Sequence, residues 1–361
     1  MPRPSVDSFE TFPEQDEAKA LLRAALAEGP AHAYLFHGPK GVGKRRAAIA
    51  FAGELLGEAD RVSRRAHPDL YLLEPLGDQI RIDPIRALRR DLHMRPFEAD
   101  RRVYLVFGAD LLNEDAADAL LKDLEEPPPY AVIVLVADDL GPLAPTIRSR
   151  CQHVPFRRLS QPAIKAHLSS RGISGERLEA LARVAGGRLD RAERLLDPDA
   201  EDRRAKVIAL ARTVYLAPEF DPAAAAQVVT QIAQSRGAQA RSEAEEAGNE
   251  GETAREQEQR LRRAARGAER DEILEALDIL SSWYRDLMVV AEGAEGAVLN
   301  SDRLAELSED GDGRSVQAER AAETVRDVWR SFEFNVQSGL ALEALFVRLR
   351  RELSSVSQAG R

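Results

Sequence analysis

Residues 38–44 read Gly38-Pro39-Lys40-Gly41-Val42-Gly43-Lys44, the spacing G-x-x-x-x-G-K. Glycines so placed let successive backbone N–H groups face inward on an anion, and the terminal lysine adds a point charge, so the chemistry on offer is phosphate binding. The next residue departs from that pattern. Arg45 stands where a Ser or Thr hydroxyl ordinarily ligates magnesium, and a guanidinium has no acceptor lone pair and a fixed positive charge. Hydrolysis would also need an apolar strand ending in acidic residues that hold the metal and polarise water. The matching strand, Val103-Tyr104-Leu105-Val106, runs into Phe107-Gly108, neither of which can be ligand or base, and Asp110 lies beyond the strand tip. Two independent departures in one reaction point to a loop that binds phosphate without the apparatus for hydrolysis.

The elements around this loop must present it at a strand end. Ala33-Tyr34-Leu35-Phe36-His37 is an apolar run of strand length directly before it, and Ala47–Leu56 is helical after it. A helix is expected at 17–29, ended by Gly29-Pro30, and a strand at Asp69–Leu73 after His67-Pro68. The nearly continuous apolar runs Val103–Phe107 and Val132–Ala137 suit central strands buried on both faces. Between them a helix over 114–126 has Asn113 as N-cap and Pro127-Pro128-Pro129 to stop it. Alternating strands and helices imply a parallel α/β sheet, and strand signals cease from about residue 158.

Composition narrows the class further. The chain has 361 residues and a net charge of −10, enough for two or three domains and unsuited to a surface that binds DNA non-specifically over its whole extent. Its single cysteine, Cys151, cannot make an internal disulfide or a multi-thiolate metal site, and with no second cysteine and only His153 nearby it is expected to be a small buried residue. Lysine occurs only at 19, 40, 44, 122, 165 and 206, so Lys44 at the end of the glycine-rich loop carries weight. The N-terminus has no apolar signal segment and no run is long enough to span a bilayer, which leads to an expected cytoplasmic location with no membrane partner.

Beyond residue 160 the pattern is helical. From Ser235 to Arg260 there is no large aliphatic or aromatic residue, so this stretch is either a solvated, charge-laced helix or a disordered insertion. Ile273, Leu277, Leu280, Tyr284 and Leu287 then form one apolar stripe, and Val325, Trp329, Phe332 and Val336 another; both suit core or a subunit interface.

His32-Ala33-Tyr34-Leu35-Phe36 leading into the loop, His67-Pro68-Asp69, Ala119-Leu120-Leu121-Lys122 with Leu124-Glu125-Glu126-Pro127-Pro128, and Ser149-Arg150-Cys151 together carry a recognisable pattern. The chain resembles the delta-prime subunits of the bacterial DNA polymerase III clamp loader, within the AAA+ family that includes the gamma/tau motor subunits. The resemblance is specific over about residues 10–197; further on, Ser282-Trp283-Tyr284-Arg285-Asp286-Leu287 and Leu340-Ala341-Leu342-Glu343-Ala344-Leu345 look like collar helices. It implies an α/β AAA+ P-loop domain with a parallel sheet over 1–157, a small helical lid over 158–215, an all-α collar over 216–350 with a charged insertion at about 235–270, and a flexible tail over 351–361.

In such a family the Ser149-Arg150-Cys151 motif places Arg150 at a subunit interface as an arginine finger, reaching the γ-phosphate of ATP on a neighbouring motor subunit. ATP or ADP is the ligand implied for Gly38, Pro39, Lys40, Gly41, Val42, Gly43, Lys44 and Arg45, at a degenerate loop that either binds nucleotide or is vestigial; magnesium is not expected. Relatives carry a four-cysteine zinc module before His67-Pro68-Asp69, but residues 53–66 hold no cysteine and no zinc is implied. His67 is expected to pack or hydrogen-bond at a strand entry. Asp138-Asp139 fall where motor subunits have a polar γ-phosphate sensor, and carboxylates there would repel phosphate. Gly186-Gly187-Arg188-Leu189-Asp190-Arg191 resembles the lid motif, with Arg191 as its second-sensor arginine or a structural residue.

The leading expectation is a stator that assembles with gamma/tau and delta subunits, meets the sliding clamp and primed DNA through that complex, and hydrolyses little or no ATP. Such a chain is grouped with the polymerase holoenzyme without polymerising DNA itself. A gamma/tau-type motor would show steady ATP turnover, and an autonomous DNA-binding adaptor would bind DNA tightly and salt-sensitively without partners.

Overall fold

A computed structural model describes residues 8–75, 79–197, 199–248, 253–331 and 337–354. By internal packing the chain divides into two units, Met1–Arg194 and Leu195–Arg361.

In the first unit, a short 3-10 turn and α1 (Asp16–Glu28) precede β1 (Ala33–His37), which feeds through the glycine loop into α2 (Lys44–Leu56) and α3 (Ala59–Ser63). β2 (Leu70–Leu73), α4 (Ile82–Leu92), β3 (Arg102–Phe107), α5 (Glu114–Glu125), β4 (Ala131–Ala137), α6 (Pro145–Arg148) and β5 (Gln152–Pro155) follow. The five strands form one parallel sheet in the order β2-β3-β4-β1-β5. Every residue of β3 and β4 is buried, as expected of inner strands covered on both faces. Side chains alternate between the faces: Tyr34 and Phe36 pack with Phe51 of α2, whereas Leu35, Tyr104 and Ile133 pack with Leu88 of α4 and Leu120 of α5. Asn113 caps α5, its Oδ1 accepting the Ala116 N–H at 3.0 Å. α4 is a helix that hydrophobic periodicity did not single out, because it is short and five of its eleven residues are Asp or Arg, interleaved with its buried face of Ile85, Leu88 and Leu92.

Three helices close this unit: α7 (Gln161–Ser170), α8 (Gly175–Ala185) and α9 (Leu189–Arg194). No strand is described after Pro155.

The second unit is helical: α10 (Ala200–Leu216), α11 (Pro222–Ala247), α12 (Ala254–Ala291), α13 (Leu304–Gly311), α14 (Ser315–Ser331) and α15 (Ser338–Ser354). Ile273, Leu277, Leu280, Tyr284 and Leu287 are all buried in its core, beside Trp283, Val325 and Phe346. Phe332 and Val336 of the second stripe, and tail residues 355–361, lie outside the described residues. The 235–260 stretch, left open between helix and disorder by the sequence, is helical over 235–247, in α11, and over 254–260, at the start of α12. No helix among the described residues is long and apolar enough to cross a membrane.

Candidate functional site

In a parallel sheet the loops that bear chemistry gather at the carboxyl ends of the strands. Here register brings them together. β1 pairs with β4 so that His37 stands beside Ala137, which places Asp138 level with Gly38 at the mouth of the loop. Gly38 is fixed as glycine by the residue just past the other neighbour, β5: a Cβ would stand 2.1 Å from the Phe156 carbonyl oxygen, at φ +137°.

Lys44, the first residue of α2, is buried, and its charge is already answered. Its Nζ donates to the carbonyls of Gly38 at 2.5 Å and Pro39 at 2.6 Å and lies 2.7 Å from Asp138 Oδ1. A carboxylate expected only to repel phosphate thus holds the lysine meant for phosphate.

A second carboxylate covers the loop from the lid. Gly41 (φ +78°) accepts from the Leu189 N–H at 2.7 Å and the Asp190 N–H at 3.3 Å, and a Cβ on it would meet Asp190 Oδ1 at 1.8 Å. Burial alone would raise the Asp190 carboxyl, but bonds from Arg188 Nε (3.1 Å) and Nη2 (2.9 Å) and the charges of Arg194 and Lys40 hold it well below the usual carboxylate range. Arg194 Nη2 and the Arg191 backbone N–H also donate to it, at 2.9 and 2.8 Å. Within the lid motif, then, the Asp190 side chain lies on the glycine loop, and the next residue, Arg191, is buried. Asp190 was visible in that motif as one acidic residue between two arginines, with nothing local to show where it would dock.

The two departures from a hydrolytic site turn out to be one contact. The Arg45 guanidinium lies 4.3 Å from the centroid of the Phe107 ring at the end of β3 and pairs with Glu74 just after β2. Glu74 is shared with Arg65 at 3.2 Å. An arginine beside an aromatic face gains from the ring quadrupole, so each substitution stabilises the other. They are therefore not independent. Asp110 accepts the Asp139 N–H at 3.3 Å, and burial, then the neighbouring Asp138 charge, push its carboxyl up to about 6. Arg45, Phe107 and Glu74 lie around the strand tips, where none offers a proton acceptor to an attacking water except carboxylates already engaged.

Arg150 stands elsewhere on the unit, just past α6. Its Nη1 donates to the Thr146 carbonyl at 2.9 Å and its Nη2 to Glu125, the last residue of α5, leaving about a third of the side chain exposed. Ser149 Oγ donates to the same carbonyl at 3.1 Å. Cys151 is buried beside this turn and its thiol is pushed up to about 12 by burial, which makes it a packing residue rather than a nucleophile. His153 on β5 has Nε2 2.9 Å from the Arg148 carbonyl and its ring 5.1 Å from that of His37, so the turn bearing Arg150 abuts the strand that enters the loop. Burial first, then the charges of His153 and Lys44, keep His37 below its ordinary value.

His67-Pro68-Asp69 is a structural clasp. The Asp69 carboxylate accepts three backbone N–H groups, from Phe97 (2.6 Å), Glu98 (3.0 Å) and Ala99 (2.9 Å). His67 Nδ1 accepts the Asp69 N–H at 3.1 Å, which leaves the ring proton on Nε2, facing Glu98 at 3.6 Å. Glu58, His67 and Glu98 form the one grouping of metal-ligating type among the described residues. Its nitrogen toward the carboxylates carries the proton, and Arg61 donates to both Glu58 and Glu98, at 2.8 and 2.5 Å, so the donor set does not fit a cation.

Residues 14–160 match the family described as DNA polymerase III, delta subunit. The chain is 34% identical over 209 residues to a DNA polymerase III subunit delta' of Bacillus subtilis, covering 55% of this chain and 64% of that one. It is 36% identical over 200 residues to the delta' subunit of Pseudomonas aeruginosa, covering 49% and 60%, and 30% identical over 199 residues to the tau subunit of Bacillus subtilis, covering 50% and 35%. The chain thus spans less than two thirds of the length of these curated relatives. The resemblance read from the sequence is borne out over the unit that carries the glycine loop.

Proposed function

We propose, on the premise that residues 14–160 form a DNA polymerase III delta-type P-loop domain, that the protein is a stator of the replicative clamp loader. It assembles with gamma/tau and delta subunits and, through that complex, serves to load the sliding clamp on primed DNA. It contributes little or no hydrolysis of its own. Instead, Arg150 is offered in trans to ATP on an adjacent motor subunit, where a guanidinium stabilises the charge of the transferring phosphoryl group.

The observation that carries this reading is the division of labour between two sets of residues. The loop that could hold a nucleotide has its lysine paired with Asp138 and its glycine face covered by Asp190, while Arg45 rests on Phe107. The Arg150 guanidinium, by contrast, is held by one carbonyl, one surface carboxylate and, at 3.5 Å, the Ser149 hydroxyl, all of them groups that a γ-phosphate could outcompete.

The test is reconstitution with motor subunits. Arg150→Ala is expected to leave assembly intact and to remove the trans contribution at one ATP site, roughly 10³–10⁵ in rate or about 4–7 kcal/mol at that site. Unchanged clamp- and DNA-stimulated ATPase would remove the finger assignment. Steady ATP turnover by the purified chain, abolished by Lys44→Ala, would replace the stator with a gamma/tau-type motor.

A further inference from the structure

α11 and α12 form an antiparallel hairpin whose far half has no large apolar residue on α11. It packs instead through small ones. Ala233, Gly237, Ala240 and Ala244 recur at spacings of four, three and four, the first two buried and the others half-buried. A Cβ on Gly237 would come 2.5 Å from Glu269 Cγ, so the two helices are in close contact there. From α12 the buried Leu261 and half-buried Ala265 and Ala268 face this seam. Glu258 ties the helices together, accepting from Arg241 at 2.7 Å and from Arg262 at 2.6 Å.

The opposite side of α12 is different in kind. At about 100° per residue, Arg255, Gln259, Arg262, Arg263 and Arg266 fall within roughly 100° of the helix circumference, pointing away from Leu261. All five are exposed. Glu258 stands outside that sector, and among the described residues Arg255, Arg263 and Arg266 make no ion pair. On a chain with a net charge of −10 this is a local concentration of arginine.

We infer that this face of α12 is a docking surface for the phosphodiester backbone of nucleic acid. The stripe runs about 17 Å at about 1.5 Å per residue, the span of roughly five phosphates of one strand at about 3.4 Å each. Its charge is carried by guanidinium groups, whose planar fork matches phosphate oxygens. It contains no apolar side chain to anchor a protein partner, as a protein interface would require at its centre. The contact is sequence-independent and weak in the isolated chain, an auxiliary grip rather than the tight binding of an autonomous DNA-binding adaptor. It does not rest on the role given to Arg150.

The experiment uses the full chain and a fluorescein-labelled 30-base-pair duplex of arbitrary sequence, titrated at several salt concentrations. Binding is expected in the range of about 10⁻⁶–10⁻⁴ M, weakening steeply with salt. Changing Arg255, Arg262, Arg263 and Arg266 together to Gln should weaken it at least tenfold and flatten the log–log salt slope by up to about 3.6, and Arg263→Gln with Arg266→Gln, both outward-facing, by up to about 1.8. Glu243→Gln with Glu245→Gln, exposed on the neighbouring helix, should not weaken it, and Arg150→Ala should leave it unchanged. An unaltered affinity and slope in the double variant, with the far-ultraviolet circular dichroism of the parent, would overturn the proposal. So would polyglutamate binding more tightly than the duplex and losing that binding in the arginine variants, since the face would then be a dock for acidic protein.

Discussion

Asp190→Ala tests whether the glycine loop is occupied by the protein's own anions. In the native fold the Asp190 carboxylate lies against Gly41 and is held there by Arg188, Arg194 and the Arg191 N–H. A phosphate approaching the same backbone would stand about 4 Å from it, a repulsion of about 1 kcal/mol per unit charge in a water-like medium and about 4 kcal/mol at an effective dielectric near 20. With a third of the Asp190 side chain exposed, the lower part of that range applies, about 1–2 kcal/mol. Removing the carboxylate should therefore tighten ADP binding about 5- to 30-fold. It should also destabilise the fold by about 1–3 kcal/mol, because charged donors lose their acceptor. That loss has a defined pH dependence. The folded-state carboxyl titrates below its ordinary value, so it contributes stability above the unfolded value near pH 4 and loses it as pH falls through the depressed folded one. Wild type and variant should differ most at neutral pH and converge in acid. Titration with a fluorescent ADP analogue in the absence of magnesium, together with guanidinium denaturation across pH, reads both effects. ADP affinity no tighter than that of the wild type, or a stability loss identical at every pH, would refute the argument.

Asp69→Ala leaves the N–H groups of Phe97, Glu98 and Ala99 without their buried acceptor and should cost about 3–5 kcal/mol in urea denaturation at pH 7. Burial raises the Asp69 carboxyl but the three N–H bonds outweigh it, so its folded value is depressed and this difference too should shrink as pH falls below about 4; an unchanged midpoint at pH 7 would remove the clasp. Cys151, with its thiol pushed up to about 12, should resist iodoacetamide at pH 7.5 in the native chain and react readily once the chain is unfolded; equal rates in both states would show that the turn bearing Arg150 is open. Arg45→Ala should lower stability by about 0.5–2 kcal/mol through loss of its contact with Phe107, measured by thermal unfolding, and the same change in a Phe107→Leu background should cost less; equal losses in both would mean the two residues are not coupled.

The long all-buried runs of β3 and β4, the Asn113 cap and the stripe from Ile273 to Leu287 were readable because each is a local period or a local hydrogen bond. α4 escaped because its charged residues dilute an apolar period only three turns long. Beyond Ser235 the sequence left helix and disorder open, because helices that pack closely through Ala and Gly carry no stripe of large apolar side chains.

At the site the same division holds. The sequence by itself determined the loop Gly38–Lys44, since glycine spacing and a terminal lysine are chain-local properties, and it determined that Arg45 and Phe107 cannot carry metal chemistry, since that follows from side-chain type. Only the tertiary structure decided that Asp138 pairs with Lys44, because that depends on the register of two strands about a hundred residues apart, and that Asp190 covers Gly41, because that depends on where the lid docks. It likewise brought Arg45 onto Phe107. Side-chain type fixes what a residue can do; which partner it meets is set by packing between distant segments, where no local pattern records the distance.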